Sequence, residues 1–299
     1  MSIPVHIISG FLGSGKTTLM NHLLRTKTGS QKFALIVNDF GKIPLDGDLL
    51  DREGYTLKEL SSGCVCCTLR GPLSDTLAAF ALEEHPDIIL METTGVAIPA
   101  ELATVFRSEE LEDLVRIGNI VSVVDANSFL KYEPHFQVLG KQVRQANTIL
   151  MNKVDQSAPD SLAAVRNRIK FLSMPEAIMT ETDHCQIAPE LILNSRQVYL
   201  PNYLNLAGHE ATLQSFSYET QSRFSLEKVK SFLQKLPDCV VRAKGIVCTD
   251  VGVRVIQLTT SGCEITGWEG ETEQSRLVFI GEGLLDDDLE IELEECLAE

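Results

Sequence analysis

Three thiols fall within four residues in the stretch SSGCVCCTLRG, at Cys64, Cys66 and Cys67. Along an extended chain successive side chains alternate, so Cys64 and Cys66 would point to one side and Cys67 to the other unless a turn brings it round. Two or three thiolates suit Zn²⁺, with Co²⁺ and Cu(I) also compatible, whereas Mg²⁺ or Ca²⁺ would call for oxygen ligands. Two other uses stay open at this point. Cys66 and Cys67 could act as a redox pair, although a vicinal disulfide is strained, or the thiols could be small buried apolar groups.

Earlier in the chain, GFLGSGKTT at 10–18 follows the P-loop pattern, with Gly10, Gly15, Lys16 and Thr17 in the diagnostic places and Gly13, Ser14 and Thr18 completing the loop. Glycines let backbone N–H groups turn inward around phosphate oxygens, the lysine spans the outer phosphates, and the threonine hydroxyl can ligate Mg²⁺. NKVD at 152–155 supplies a base reader. Guanine presents two adjacent donors that one carboxylate accepts together, while adenine offers an acceptor there, so Asp155 selects GTP. Asn152 is expected to hold the other edge of the base and the Lys153 stem to cover the ring. IILMETTG at 88–95 is an apolar run ending in an acid, with a glycine three residues on. Glu92 is expected to hold Mg²⁺ and the Gly95 N–H to sense the γ-phosphate, as in switch GTPases. Val96, next in the chain, can position nothing, and NDFGK offers only Asp39 and Lys42 as polar candidates. Hydrolysis by the isolated chain is therefore expected to be slow.

These residues need a scaffold, and the alternation of apolar runs with amphipathic stretches over the first two hundred residues predicts parallel strands with crossover helices. Strands are expected at 5–9, 33–37, 87–91, 120–124 and 148–152, with a further one at 55–62 leading into the thiols, and helices from Lys16 to Arg25 and from Leu73 to Glu84. The segment 199–210, with its Pro, Asn and Gly, reads as a linker. Beyond it come alternating strands, a helix at 225–236 and an acidic terminal helix with Leu289, Leu293, Cys296 and Leu297 on one face. The expected fold class is α/β, a P-loop domain with a mostly parallel sheet over 1–206, plus a smaller α+β domain over 211–299.

The chain has 299 residues, is 44% hydrophobic and carries a net charge of −16. That balance argues against nucleic-acid binding through phosphate contacts and against an anionic membrane surface. No run approaches the roughly 18–20 apolar residues that span a bilayer, so the expected location is the cytoplasm. The remaining cysteines, at 185, 239, 248, 263 and 296, show no framework spacing and read mostly as core residues.

Taken in order and spacing, GFLGSGKTTL, IVNDFG, GCVCCTLRG, ETTG, VVDA and NKVD resemble the CobW-type GTPase metallochaperones, relatives of HypB and UreG. RAKGIV and RLVFIGEGL extend the resemblance into the C-terminal domain. It implies a GTPase whose Cys-x-Cys-Cys metal site, here Cys64, Cys66 and Cys67, lies beside the switch regions. GTP, Mg²⁺ and a transition metal, zinc or cobalt, are the implied ligands; a client metalloprotein is the implied partner, with room for a homodimer. The alternative is a GTP-gated adaptor that assembles or reactivates a cofactor-dependent enzyme, a corrinoid enzyme being one case, with structural or redox-active cysteines. The sequence departs from the family pattern at Asp39, where Glu is usual, at Ile98, where an acid is common, and in having no histidine-rich loop.

Overall fold

The computed structural model describes residues 2–26, 31–38, 55–60, 70–194, 213–237, 239–259, 262–268, 270, 272–282, 284 and 286–298. Cys64, Cys66, Cys67, Asp39, Lys42 and the expected linker at 199–210 lie outside the described residues. The chain divides into two compact units, Met1–Gly208 and His209–Glu299.

In the first unit, seven described strands form one sheet: β1 (Ile3–Ser9), β2 (Phe33–Asn38), β3 (Tyr55–Leu60), β4 (Ile88–Glu92), β5 (Val115–Asp125), β6 (Thr148–Asn152) and β7 (Ile178–Glu181). Their order is β3-β2-β4-β1-β5-β6-β7 and every pairing is parallel. β4 and β6 are buried along their whole length, which is why they read as unbroken apolar runs rather than as alternation. The helices are α1 (Lys16–Arg25), α2 (Arg70–Ala79), α3 (Pro99–Ala103), α4 (Phe129–Tyr132), α5 (Gln137–Arg144), α6 (Pro159–Leu172) and α7 (Glu190–Leu193). Leu19, Met20 and Leu23 of α1 are fully buried against Leu35, Leu90 and Val121 of the sheet. Each such side chain contributes about 1.5–3 kcal/mol when taken out of water, which fixes the helix that carries Lys16 and Thr17.

The sheet order matters for the site. β1 lies at the centre, with β4 on one side and β5 then β6 on the other, so the chain direction away from β1 divides there. Parallel open sheets bind ligands outside the carboxyl ends of their strands at such a division. The turn after β1, Glu92 at the end of β4, Asp125 at the end of β5 and Asn152 at the end of β6 all meet at that edge, with Ile8 opposite Glu92 and Asp125 opposite Asn152 in the register.

Some elements differ from the sequence reading. β5 begins at Val115 rather than 120: Arg116 is exposed and Ile117 half-buried, and Gly118 and Asn119 follow, so the early part of the strand shows no apolar run. The helix expected from Leu73 starts earlier, at Arg70, then widens into a π-helical turn over Phe80–Glu84 and ends at His85 in the left-handed region. β7 was not anticipated: at four residues, none fully buried, it carries no apolar periodicity to detect.

The second unit is a five-stranded antiparallel sheet of β8 (Leu213–Thr220), β9 (Val240–Thr249), β10 (Gly252–Thr259), β11 (Gly262–Gly267) and β12 (Ser275–Glu282), in the order β11-β10-β9-β12-β8. The helices α8 (Leu226–Lys235) and α9 (Asp286–Glu295) share its core, with Val229, Phe232 and Leu293 packed in one cluster with Phe216 and Phe279. In the acidic terminal segment Leu289, Leu293 and Cys296 are buried and Leu297 partly so, while Glu290, Glu292 and Glu294 face water. β11 was not anticipated either, being mostly exposed and bounded by glycines. No helix among the described residues is long and apolar enough to cross a membrane.

Candidate functional site

After β1 the backbone enters conformations that few residues other than glycine adopt: Gly10, Gly13 and Gly15 have φ of 144, 76 and 112°. At Gly10 a side chain is also excluded by space, since a Cβ would lie 2.3 Å from the Val123 carbonyl oxygen. The loop closes on itself through Ser14 N–H donating to the Phe11 carbonyl at 3.2 Å. The buried Lys16 ammonium donates to the same carbonyl at 3.3 Å. Ser14 Oγ and Thr94 Oγ1 are buried with no hydrogen-bond partner among the described residues. Buried hydroxyls normally have partners, so two such groups beside a loop of this shape suit a polar ligand.

Thr17, on the first turn of α1, donates its hydroxyl to Glu92, with Oγ1 3.1 and 3.2 Å from the two carboxylate oxygens. Glu92 is buried at the end of β4. A hydroxyl and a carboxylate held together beside a phosphate loop are hard oxygen donors of the kind Mg²⁺ takes, so the residues fit the ion. Thr18, next on the helix, is exposed. Gly95 lies against the P-loop from the other side: a Cβ there would come within 2.4 Å of Leu12 Cδ2 and 2.8 Å of Leu12 N.

At the base end, Asn152 is engaged on both sides. Its Nδ2 donates to the Ser14 carbonyl at 2.9 Å, and its Oδ1 accepts from the Cys185 N–H at 3.0 Å. These two bonds make Asn152 a staple between the P-loop and the loop after β7, and they leave its second amide hydrogen and second oxygen lone pair for the expected contact with a base. Lys153 adopts φ 63° and its ammonium sits 2.8 Å from Asp125 Oδ2. With the head group tied down, the stem is the part left to cover a ring. Asp125 is buried and also accepts the Asn127 N–H at 2.9 Å. Asp155 lies in the turn Val154–Gln156 and is exposed, so its carboxylate is accessible to a ligand.

Sequence reasoning missed three participants. Asp125 was visible only as part of VVDA, with no role attached. The loop after β7 carries two successive left-handed residues, His184 at φ 47° and Cys185 at φ 55°. Cys185 Sγ donates to the Gly15 carbonyl at 3.4 Å, and burial pushes its thiol up to about 12, so it remains protonated. Nothing in TDHCQ announces this, because the N–H that Asn152 accepts could come from any residue type and the thiol's partner, the Gly15 carbonyl, is far away in the sequence. The third is Gln142 on α5, whose Nε2 donates to the carbonyls of Gly95 at 3.2 Å and Ala97 at 3.0 Å. Of the scattered cysteines, Cys185, Cys248 and Cys296 are buried, in keeping with a mostly core reading, while Cys239 is intermediate and Cys263 is exposed on β11.

The structure thus brings Lys16, Thr17, Glu92, Gly95 and Asn152 to one edge of the sheet. Residues 4–180 match the family described as CobW/HypB/UreG, nucleotide-binding domain, and residues 213–297 match the cobalamin synthesis protein cobW C-terminal domain. Among curated relatives, zinc-regulated GTPase metalloprotein activator 1 of Dictyostelium discoideum is 26% identical over 302 residues, covering 81% of this chain and 62% of that protein. The zinc chaperone YjiA of Escherichia coli (strain K12) is 27% identical over 302 residues, covering 93% of this chain and 94% of the relative. The crystal structure of Zn(II)-bound YjiA GTPase from E. coli superimposes with a TM-score of 0.50 at 21% identity, over 99% of both chains, a likeness of fold. Against the Dictyostelium relative and three of the other curated relatives, this chain spans about half to three-fifths of the length. By the match over its nucleotide-binding part, the chain belongs to the CobW/HypB/UreG family.

Proposed function

We propose that the chain is a GTP-hydrolysing metallochaperone, in which GTP and Mg²⁺ order the switch segments, Cys64, Cys66 and Cys67 take up a transition metal, and hydrolysis loosens the metal for transfer to a client protein. The observation that carries this reading is the Thr17–Glu92 contact at the head of the P-loop, combined with the Asn152 staple that ties the guanine-type motif to that same loop. Zinc is the preferred cargo because the curated relatives named above are called a zinc chaperone and a zinc-regulated activator. The thiols follow β3 by a few residues in sequence, and β3 pairs with β2, which pairs with the Glu92 strand.

In this reading Lys16 and the P-loop amides hold the phosphates, Gly95 contacts the γ-phosphate, and Asp155 chooses guanine. Water attacks the γ-phosphorus and GDP leaves with phosphate as the second product. With Val96 following Gly95, no side chain at that position can orient the water, so the isolated protein should turn over slowly, on the order of 10⁻⁴ to 10⁻² s⁻¹. Single-turnover hydrolysis of GTP with Mg²⁺ present throughout, first without and then with Zn²⁺, tests this. A rise on adding Zn²⁺ is expected; turnover of about 1 s⁻¹ without Zn²⁺ or partner would contradict a timed switch and indicate an ordinary phosphohydrolase.

A further inference from the structure

Gln142 is 1% exposed, on the helix that packs behind the P-loop. Its two amide hydrogens go to two carbonyls of the same turn, Gly95 O at 3.2 Å and Ala97 O at 3.0 Å. The amide's orientation is fixed by this pairing, because the flipped form would set Oε1 against two carbonyl oxygens. Three residues on, Gln145 Oε1 accepts the Ala100 N–H at 2.9 Å, so the helix grips the segment after Gly95 twice. On its opposite side Gly95 presses on Leu12 of the P-loop. The P-loop is itself held to the start of this helix by Phe11, whose ring centroid lies 5.5 Å from that of Phe136 and 6.4 Å from that of Tyr132. The turn is therefore held between P-loop and helix. An apolar side chain would fill the same buried space without the cost of burying an amide, so the amide's use lies in where it holds the turn.

We infer that Gln142 is a positioning residue for the γ-phosphate: it latches the Gly95–Ala97 turn against the P-loop in the arrangement that recognises GTP, and so sets how strongly the site prefers GTP over GDP. This rests on the reading of the site as one that binds and hydrolyses GTP. GDP has no γ-phosphate and gains nothing from the latch.

The test is nucleotide titration and single-turnover hydrolysis on the full chain, unmodified and as Gln142→Met, which keeps length and volume but has no donor. GTP affinity should fall about tenfold, as expected for two lost hydrogen bonds, with GDP affinity changed less than about twofold. In Gln142→Glu the ionised carboxylate would face two carbonyls. Its loss should be larger at pH 8 and partly recovered near pH 6, because a buried carboxyl takes up a proton more readily and can then donate one bond. A lowered melting temperature with an unchanged GTP-to-GDP ratio would mean a purely structural role and overturn the inference. If Gln142→Met does not fold, hydrogen exchange at residues 94–98 is compared between the unmodified chain and Gln142→Glu at pH 8, each with a non-hydrolysable GTP analogue and with GDP. Extra protection by the analogue over GDP that Gln142→Glu loses supports the latch, and extra protection that it keeps in full overturns it. Failure of the unmodified chain to prefer GTP over ATP would instead remove the functional reading itself.

Discussion

At the phosphate end the backbone sets the geometry: Gly10 sits where a Cβ would lie 2.3 Å from another strand's carbonyl oxygen, and Gly13 and Gly15 turn through positive φ. At the base end side chains set it, with Asn152 joining two loops, Lys153 tied to Asp125 and Asp155 left exposed. A backbone-built end cannot be adjusted by repacking, whereas a side-chain-built end can lose one contact and keep the others. Substitutions should therefore be all-or-none at the first end and graded at the second. Gly15 is where the two meet, since a Cβ there would lie 2.6 Å from Asn152 Nδ2 and 3.2 Å from Cys185 Sγ.

The largest effect is expected for Gly10→Ala. The added carbon meets a backbone oxygen that cannot move without shifting β5, so a loss of about 3 kcal/mol or more is predicted by chemical denaturation, together with loss of nucleotide binding. A well-folded variant that still binds GTP would break the contrast. Thr17→Ala comes next: removing the hydroxyl beside Glu92 should lower GTP turnover by about 10²-fold at saturating Mg²⁺, with little change in melting temperature. Asp155→Asn should act on base choice alone, costing about 2 kcal/mol of guanine affinity and shifting preference toward xanthine, whose O2 can accept from the amide. A variant that still prefers GTP over XTP would remove Asp155 from the base site.

The smallest effect concerns the strand that feeds the P-loop. His6 on β1 is fully buried with neither ring nitrogen partnered among the described residues, and burial, helped by the Arg116 charge, lowers its pKa from 6.5 to about 4. Between those values the unfolded chain binds a proton that the folded chain excludes, so this contribution is fully present above neutral pH and is lost as pH falls toward 4. Between pH 7 and about 5.5 the native chain should lose about 1 kcal/mol more than His6→Leu. Equal slopes for the two would mean that His6 is not buried in its neutral form.

How much of this was legible in the sequence follows from the same contrast. The P-loop could be read because its backbone geometry demands glycine at fixed places, and β4 and β6 could be read because burial on both faces leaves an apolar run. Asp155 was named from the hydrogen-bonding edge of guanine. The Asn152 staple to Ser14 and Cys185 was hidden, because it depends on loops that meet only in three dimensions. The loop at 182–186 was hidden for a second reason: an amide N–H can come from any residue type. Gln142 lies forty-seven positions from Gly95, a pairing that no local pattern encodes.

The central claim is that nucleotide and metal bind as one coupled system, and it is tested most directly by titrating Zn²⁺ into the full chain loaded with a non-hydrolysable GTP analogue and, separately, with GDP. The account predicts tighter Zn²⁺ binding with the GTP analogue, by about tenfold, matched by an equal tightening of the analogue by Zn²⁺, with both effects lost when Cys64 and Cys66 are replaced by Ser. Equal Zn²⁺ affinity in the two nucleotide states, or coupling that survives the double substitution, would contradict it.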